Sequence, residues 1–274
     1  MMMAAVIGAY TACNISDKYI VSKGNINKND YTFFLSLSSL IFLTFFLPFT
    51  DHKLQFSIYN AGIILGAAAS KIVEFRTLAA VLKEMTPFEV KAWLGICIFL
   101  SYITDMIMKA DSFRLSRLSM ILITAMGLIL IVWDNQRSIN YKKIMFYLVL
   151  HILSKYLYGI VIKQAAKTMS TTMTLYCALI IVMILMLVSV HPIRIFKGNK
   201  KSISILCGTR LVNVIGNIAE NEVIKMSLVQ YSLIQPGILV LLFLERMLRK
   251  ERFPLRNIIG SVLCVLGVLG FSIC

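Results

Sequence analysis

A stripe of polar residues in the second half of the chain is the first candidate for chemistry. Arg210, Asn213, Asn217, Glu220 and Asn221 recur at spacings of three and four in a mostly apolar segment. These spacings place them on one face of an α-helix. Charged side chains inside a membrane helix are costly and usually face a cavity or a partner. The stripe therefore predicts a cavity wall, and a stripe that only joins helices is the alternative.

Two further segments carry charges at helical spacing. Lys71 and Glu74 are three residues apart, and His151 and Lys155 are four apart with Tyr158 following. We expect Lys71 and Glu74 to bind substrate together with the stripe, although a self-neutralised structural pair is the alternative. His151, Lys155 and Tyr158 are candidates for cavity or coupling groups. A hydrogen-bonded packing role is the alternative for His151.

The first apolar segment adds another polar face. Tyr10, Asn14 and Asp17 share one side of a helix. Asn14 joins the candidates for a cavity or coupling group. Asp17 and Lys18 are also compatible with a position at the membrane interface.

The composition shows which solvent surrounds these segments. The 274 residues are 58% hydrophobic and 15% charged, with a mean hydropathy of +0.80. A soluble domain usually carries about 25% charged residues. The net charge of +15 comes from Lys and Arg that lie mainly between apolar segments, so nucleic acid is not an expected partner. The six cysteines form no C-x-x-C pair, and neither a metal nor a cofactor is expected.

The apolar segments predict an all-α membrane protein with ten transmembrane helices. Each segment is long enough, or nearly so, to cross a hydrocarbon core about 30 Å thick. We expect a multi-pass integral protein, with the lipid bilayer as a partner. The predicted helices cover residues 2–23, 30–50, 56–83, 87–108, 116–134, 143–165, 168–190, 201–226, 228–247 and 256–273.

The two halves of the chain are related. A shift of 140 residues places Asp105 on Glu245 and Gly127 on Gly267, within segments of similar pattern. An internal repeat of this kind is a signal about the fold.

The repeat divides the chain into a first five-helix unit, 1–136, and a second, 137–274. Because five is odd, the second unit must be inverted in the membrane relative to the first. Two inverted five-helix repeats follow the plan of many secondary transporters.

The end of the second repeat resembles the EamA-type branch of the drug/metabolite transporter superfamily. Glu245, the basic loop 246–256, Gly260 and Gly267 carry the resemblance. The first half departs from it, because Met120 stands where the second half has Gly260. The resemblance implies ten helices, a central cavity formed by the first four helices of each repeat, and alternating access.

The expected function is secondary transport of a small polar organic solute, such as an amino acid, drug or other metabolite. A non-transporting scaffold or assembly protein is the alternative. No motif of an ATPase, metalloprotease or serine hydrolase is present, so an enzyme is not expected. The expected partners are the solute and the bilayer, and a homodimer is left open.

Loop charge and family resemblance disagree about orientation. Sixteen Lys and Arg flank the loops on one side of the predicted bundle and seven flank the other. The positive-inside rule would place both termini outside the cytoplasm. The resemblance implies cytoplasmic termini, and we adopt that expectation, in a bacterial inner (cell) membrane.

Overall fold

The fold is known from a computed structural model, which describes residues 2–23, 26–108, 113–132, 141–192, 195–196, 199–248 and 255–273. These residues form helices and connecting turns, with no strand among them. The helices are α1 (Met2–Lys23), α2 (Lys28–Phe46), a 3-10 turn (Leu47–Phe49), α3 (Ile58–Glu84), α4 (Pro87–Leu94), α5 (Cys97–Ile107), α6 (Leu115–Val132), α7 (Tyr141–Ala165), α8 (Thr171–Leu187), α9 (Lys200–Met226), α10 (Leu228–Leu248) and α11 (Leu255–Ile273).

Several of these helices are suited to a membrane. Within the described residues, five segments are long and apolar enough to cross one, and they coincide with the second, fourth, sixth, eighth and ninth predicted spans. Shorter apolar helices occupy parts of three further predicted spans. The five segments are Lys28–Phe49, Pro87–Ile107, Ile144–Ala165, Lys200–Met226 and Leu228–Glu245.

The surface and the interior have the polarity that lipid requires. Phe45 and Phe146 expose 69% and 67% of their surface, while Arg210 and Glu220 expose 2% and 0%. A water-soluble bundle would place such side chains the other way round. Apolar side chains outside and paired charges inside are expected where hydrocarbon surrounds the helices.

Helix packing places four helices around the centre. α1 packs along α9, and α3 packs along α7, while α2 lies against α8. α4 and α5 both pack on α10, and α6 pairs with α11. The polar faces of α1, α3, α7 and α9 therefore meet in the interior of the bundle.

The predicted fourth helix, 87–108, is divided in two. α4 begins with a capping box, in which Thr86 and Glu89 each accept a hydrogen bond from the other's backbone N–H. The helix is interrupted after one short segment, at Gly95. A Cβ at Gly95 would lie 1.9 Å from Cδ1 of Leu128 on α6, so any larger residue here would displace that leucine.

Glycines allow α6 and α11 to approach closely. A Cβ at Gly127 or at Gly260 would lie 2.6 Å from the carbonyl oxygen of the other glycine. A Cβ at Gly267 would lie 2.0 Å from Oγ1 of Thr124 and 2.9 Å from the carbonyl oxygen of Met120. Two of the glycines that carry the family resemblance therefore serve backbone-to-backbone packing.

We expect Gly260→Ala to lower the melting temperature of the purified protein. The added methyl group meets backbone rather than a flexible side chain, and overpacking of this kind costs about 1–3 kcal/mol. Gly208→Ala on α9 is the matched control, because no atom lies within 4 Å of its Cβ position. That variant should melt at the wild-type temperature or above it, since alanine favours helix. Equal melting of both variants would contradict the packing.

Candidate functional site

Four charged side chains form a buried chain at the centre of the bundle. Nζ of Lys155 on α7 lies 3.2 Å from Oε1 of Glu74 on α3 and 3.0 Å from Oε1 of Glu220 on α9. Nζ of Lys71 lies 2.9 Å from Oε2 of Glu74. We call Lys71, Glu74, Lys155 and Glu220 the central cluster. It is formally neutral, which is the condition under which buried charges are tolerated.

Tyr10 on α1 completes the coordination of Glu220. Its hydroxyl oxygen lies 2.6 Å from Oε2 of Glu220 and 2.7 Å from Oδ1 of Asn217. The single hydroxyl proton is best donated to the carboxylate, because hydrogen bonds to charged acceptors are stronger. Asn217 in turn donates to Oδ1 of Asn213 at 3.0 Å. Helices α1, α7 and α9 are thus joined through one carboxylate.

Tyr158 supports the other end of the central cluster. Nζ of Lys71 lies 3.8 Å from the centre of the Tyr158 ring, in the geometry of a cation–π contact. The Tyr158 hydroxyl donates to Oδ1 of Asn221 at 3.1 Å. Lys71 therefore contacts both the Tyr158 ring and Glu74, and the Tyr158 hydroxyl links α7 to α9.

A second buried ion pair joins α1 to α9. A terminal nitrogen of Arg210 lies 2.5 Å from Oδ1 of Asp17, and both side chains are almost fully buried. Nε of Arg210 also donates to the carbonyl oxygen of Leu206 at 3.3 Å. The guanidinium is therefore held inside the bundle by partners on α1 and α9.

A third buried ion pair lies where α5, α7 and α10 meet. Nζ of Lys163 lies 2.5 Å from Oδ1 of Asp105. The other carboxylate oxygen accepts hydrogen bonds from Oγ of Ser227 at 2.8 Å and from the backbone N–H of Val229 at 3.1 Å. An acidic group at this position also suits the positive N-terminal end of α10.

The second and third pairs flank the central cluster from opposite sides. Lys163 follows Lys155 by eight residues, and Ser227 follows Glu220 by seven, so α7 and α9 run in the same direction here. Arg210 precedes Glu220 by ten residues. At 1.5 Å per residue, the two pairs are separated by roughly 25 Å along α9.

A small polar cavity lies between the central cluster and the Asp17–Arg210 pair. About 50 Å³ of it is open to the centre of a water molecule, which is room for a few waters. Polar groups of Tyr10, Asn14, Asn213 and Asn217 contribute to its wall. Its charged lining consists of Asp17, Lys71, Glu74, Lys91, Lys155 and Arg210.

The structure brings most of the predicted site residues together. The cavity is lined by Asn14, Lys71, Glu74, Lys155, Arg210, Asn213 and Asn217. Glu220 and Tyr158 are not among the described residues that line the cavity. Glu220 contacts Lys155, and the Tyr158 ring contacts Lys71. His151 does not line the cavity either, and its Nδ1 lies 3.3 Å from Oγ1 of Thr77.

Lys91 is the main residue that the sequence interpretation missed. Lys91 is one of the sixteen Lys and Arg assigned above to loop flanks, but its side chain is only 6% exposed and lines the cavity. It forms neither a hydrogen bond nor an ion pair with any residue that the structure describes. A signal was present, because Lys91 stands four residues after the helix-starting Pro87, inside the predicted span 87–108.

Comparison with known proteins bears on the fold. No protein-family model matches the sequence, and no curated protein matches it. Among the 26 matching chains of solved structures is one described as "Crystal structure of protein". It superposes with a TM-score of 0.68 at 11% sequence identity, over 99% of this chain and 95% of that chain. The likeness shows a shared fold over nearly the full length of both chains.

Proposed function

We propose that this protein is a secondary transporter that moves a small polar organic solute across the membrane by alternating access. The observation that carries the proposal is the central cluster beside a polar cavity, where α1, α3, α7 and α9 meet. Well-packed apolar residues of similar volume are often as stable as buried ion pairs. Stability alone therefore does not account for these buried charges, and a solute pathway explains them better.

Reciprocal helix packing supports an arrangement of ten spans in two inverted repeats, with α4 and α5 counted as one span. The repeat relates α1 to α7 and α3 to α9, so the α1–α9 contact has its counterpart in the α7–α3 contact. The α2–α9 contact corresponds to the α8–α3 contact. The close approach of Gly127 to Gly260 corresponds to that of Gly267 to Met120. A two-fold relation between the halves accounts for all three.

Membership of the EamA-type branch of the drug/metabolite transporter superfamily is part of the proposal. The order of spans and the repeat ending at Glu245, Gly260 and Gly267 support it. The α6–α11 pair lies apart from the central helices, as the resemblance implies for the last helix of each repeat.

In the proposed mechanism, the two flanking ion pairs open alternately, and the central cluster between them responds to the solute. The Asp17–Arg210 and Asp105–Lys163 pairs close the bundle on opposite sides of the central cluster. Opening one pair while the other stays closed exposes the cavity to one side of the membrane only. Lys155 joins Glu74 of the first half to Glu220 of the second, so a solute that competes for Lys155 changes how the halves are held together.

A non-transporting scaffold is the second candidate function, and the charge pairing favours it in part. The central cluster and both flanking pairs are internally satisfied, and the cavity is small. A scaffold would bind no solute at this cavity, whereas a transporter must.

A thermal-shift screen of the purified protein tests the proposed function. The panel contains amino acids, amines, nucleosides, sugar phosphates and short carboxylates. A solute at one hundred times its Kd should stabilise the protein by about 2.7 kcal/mol. We expect a stabilising compound whose effect is lost in Arg210→Ala and in Glu220→Ala. A wild-type protein that no compound stabilises would favour the scaffold instead.

A further inference from the structure

The charges around the cavity do not cancel. Four cations line it, and three of them are ion-paired: Lys71 with Glu74, Lys155 with Glu220 and Arg210 with Asp17. Lys91 is the fourth. Among the described residues, three carboxylates pair with three of these four cations, so one positive charge remains uncompensated.

The excess charge can be assigned to Lys91 by its contacts. No residue in the described part of the chain hydrogen-bonds or ion-pairs with its ammonium group, although 94% of the residue is buried. Lysine on α4 presents a compact charge with three N–H donors on a flexible stem. A buried, unpaired ammonium is unfavourable unless an anion accompanies it. The cavity that Lys91 lines is the place where such an anion can bind.

We propose that the solute bound in this cavity is a small organic monoanion whose carboxylate pairs with Lys91. The proposal rests on the transport function proposed above. One negative charge makes the site neutral, whereas a zwitterion leaves the excess charge in place and a cation adds to it. The amides of Asn213 and Asn217 offer donors and acceptors for a hydroxyl group of the same solute. The small volume of the cavity suits a short carbon chain.

A matched series of three-carbon compounds tests the charge of the solute. Lactate, alanine and 1-amino-2-propanol have similar size and carry a net charge of minus one, zero and plus one. Each is added to the purified protein in a melting experiment, beside the wider panel of nucleosides and sugar phosphates. We expect lactate to raise the melting temperature of the wild type and of Lys91→Arg, and to bind Lys91→Met at least tenfold more weakly.

Lys83→Met is the matched control, because this lysine is exposed at the end of α3. It should bind lactate as the wild type does. Stabilisation by alanine, the amine or a nucleoside that persists in Lys91→Met would overturn the anion assignment and leave transport standing. A wild-type protein that is stabilised by no compound in either panel would count against both proposals.

Discussion

Lys155→Met is expected to abolish transport and to lower the free energy of unfolding by about 3–5 kcal/mol. The lysine is the only described link between the carboxylates of Glu74 and Glu220. Its loss leaves Glu220 buried, with the Tyr10 hydroxyl as the one remaining strong donor among the described residues. Breaking a buried pair by removing one partner is costly because an uncompensated charge stays behind.

The effects of Lys155 on stability and on transport can be separated by a second substitution. Lys155→Met combined with Glu220→Gln restores a neutral central cluster, since Lys71 still pairs with Glu74. We expect the double variant to recover most of the melting temperature but to remain inactive in vesicles. Lys201→Met, at an exposed position on α9, controls for the loss of a lysine. Transport at the wild-type rate by Lys155→Met would refute the role given to the central cluster.

We expect a second large loss of stability when either partner of the Asp17–Arg210 pair is removed. Asp17→Asn and Arg210→Met should each lower the unfolding free energy by about 3–5 kcal/mol, because each leaves one buried charge unpaired. The double variant should be close to the wild type in stability, since a buried pair replaced by neutral groups often costs little. A double-mutant cycle on the melting data measures the coupling.

Transport by the Asp17→Asn, Arg210→Met double variant shows whether the pair also closes one side of the cavity. If the pair closes one side of the cavity, the neutral variant folds but no longer holds that side closed, and coupled exchange is lost. Recovery of both stability and exchange in the double variant would mean that the pair serves packing alone. Additive losses would mean that the two side chains are not coupled.

Local periodicity explains which parts of the site could be predicted. Lys71 and Glu74 lie three residues apart in the sequence, so their pairing depends only on the helix that carries them. The stripe that includes Arg210 and Asn217 was recognisable for the same reason. The ranges of the membrane segments follow from length and apolar content, which are also local properties.

Pairs between helices could not be predicted in this way. The contacts of Lys155 with Glu220 and of Asp105 with Lys163 depend on which helices are neighbours, and periodicity carries no such information. Lys91 was misjudged because a lysine near a helix end is usually exposed, whereas this side chain is buried and lines the cavity. The division of the span 87–108 at Gly95 was also missed, because a single glycine in an apolar segment is a weak signal.

Solute exchange in reconstituted vesicles tests the central claim most directly. Vesicles that contain the purified protein are loaded with an unlabelled compound that stabilises it, and uptake of the same compound in labelled form is measured. Alternating access predicts that internal solute accelerates uptake by the wild type, and that vesicles with Lys155→Met show only the background of protein-free vesicles. Absence of accelerated uptake by the wild type, for every compound that the purified protein binds, would contradict the proposed transport function.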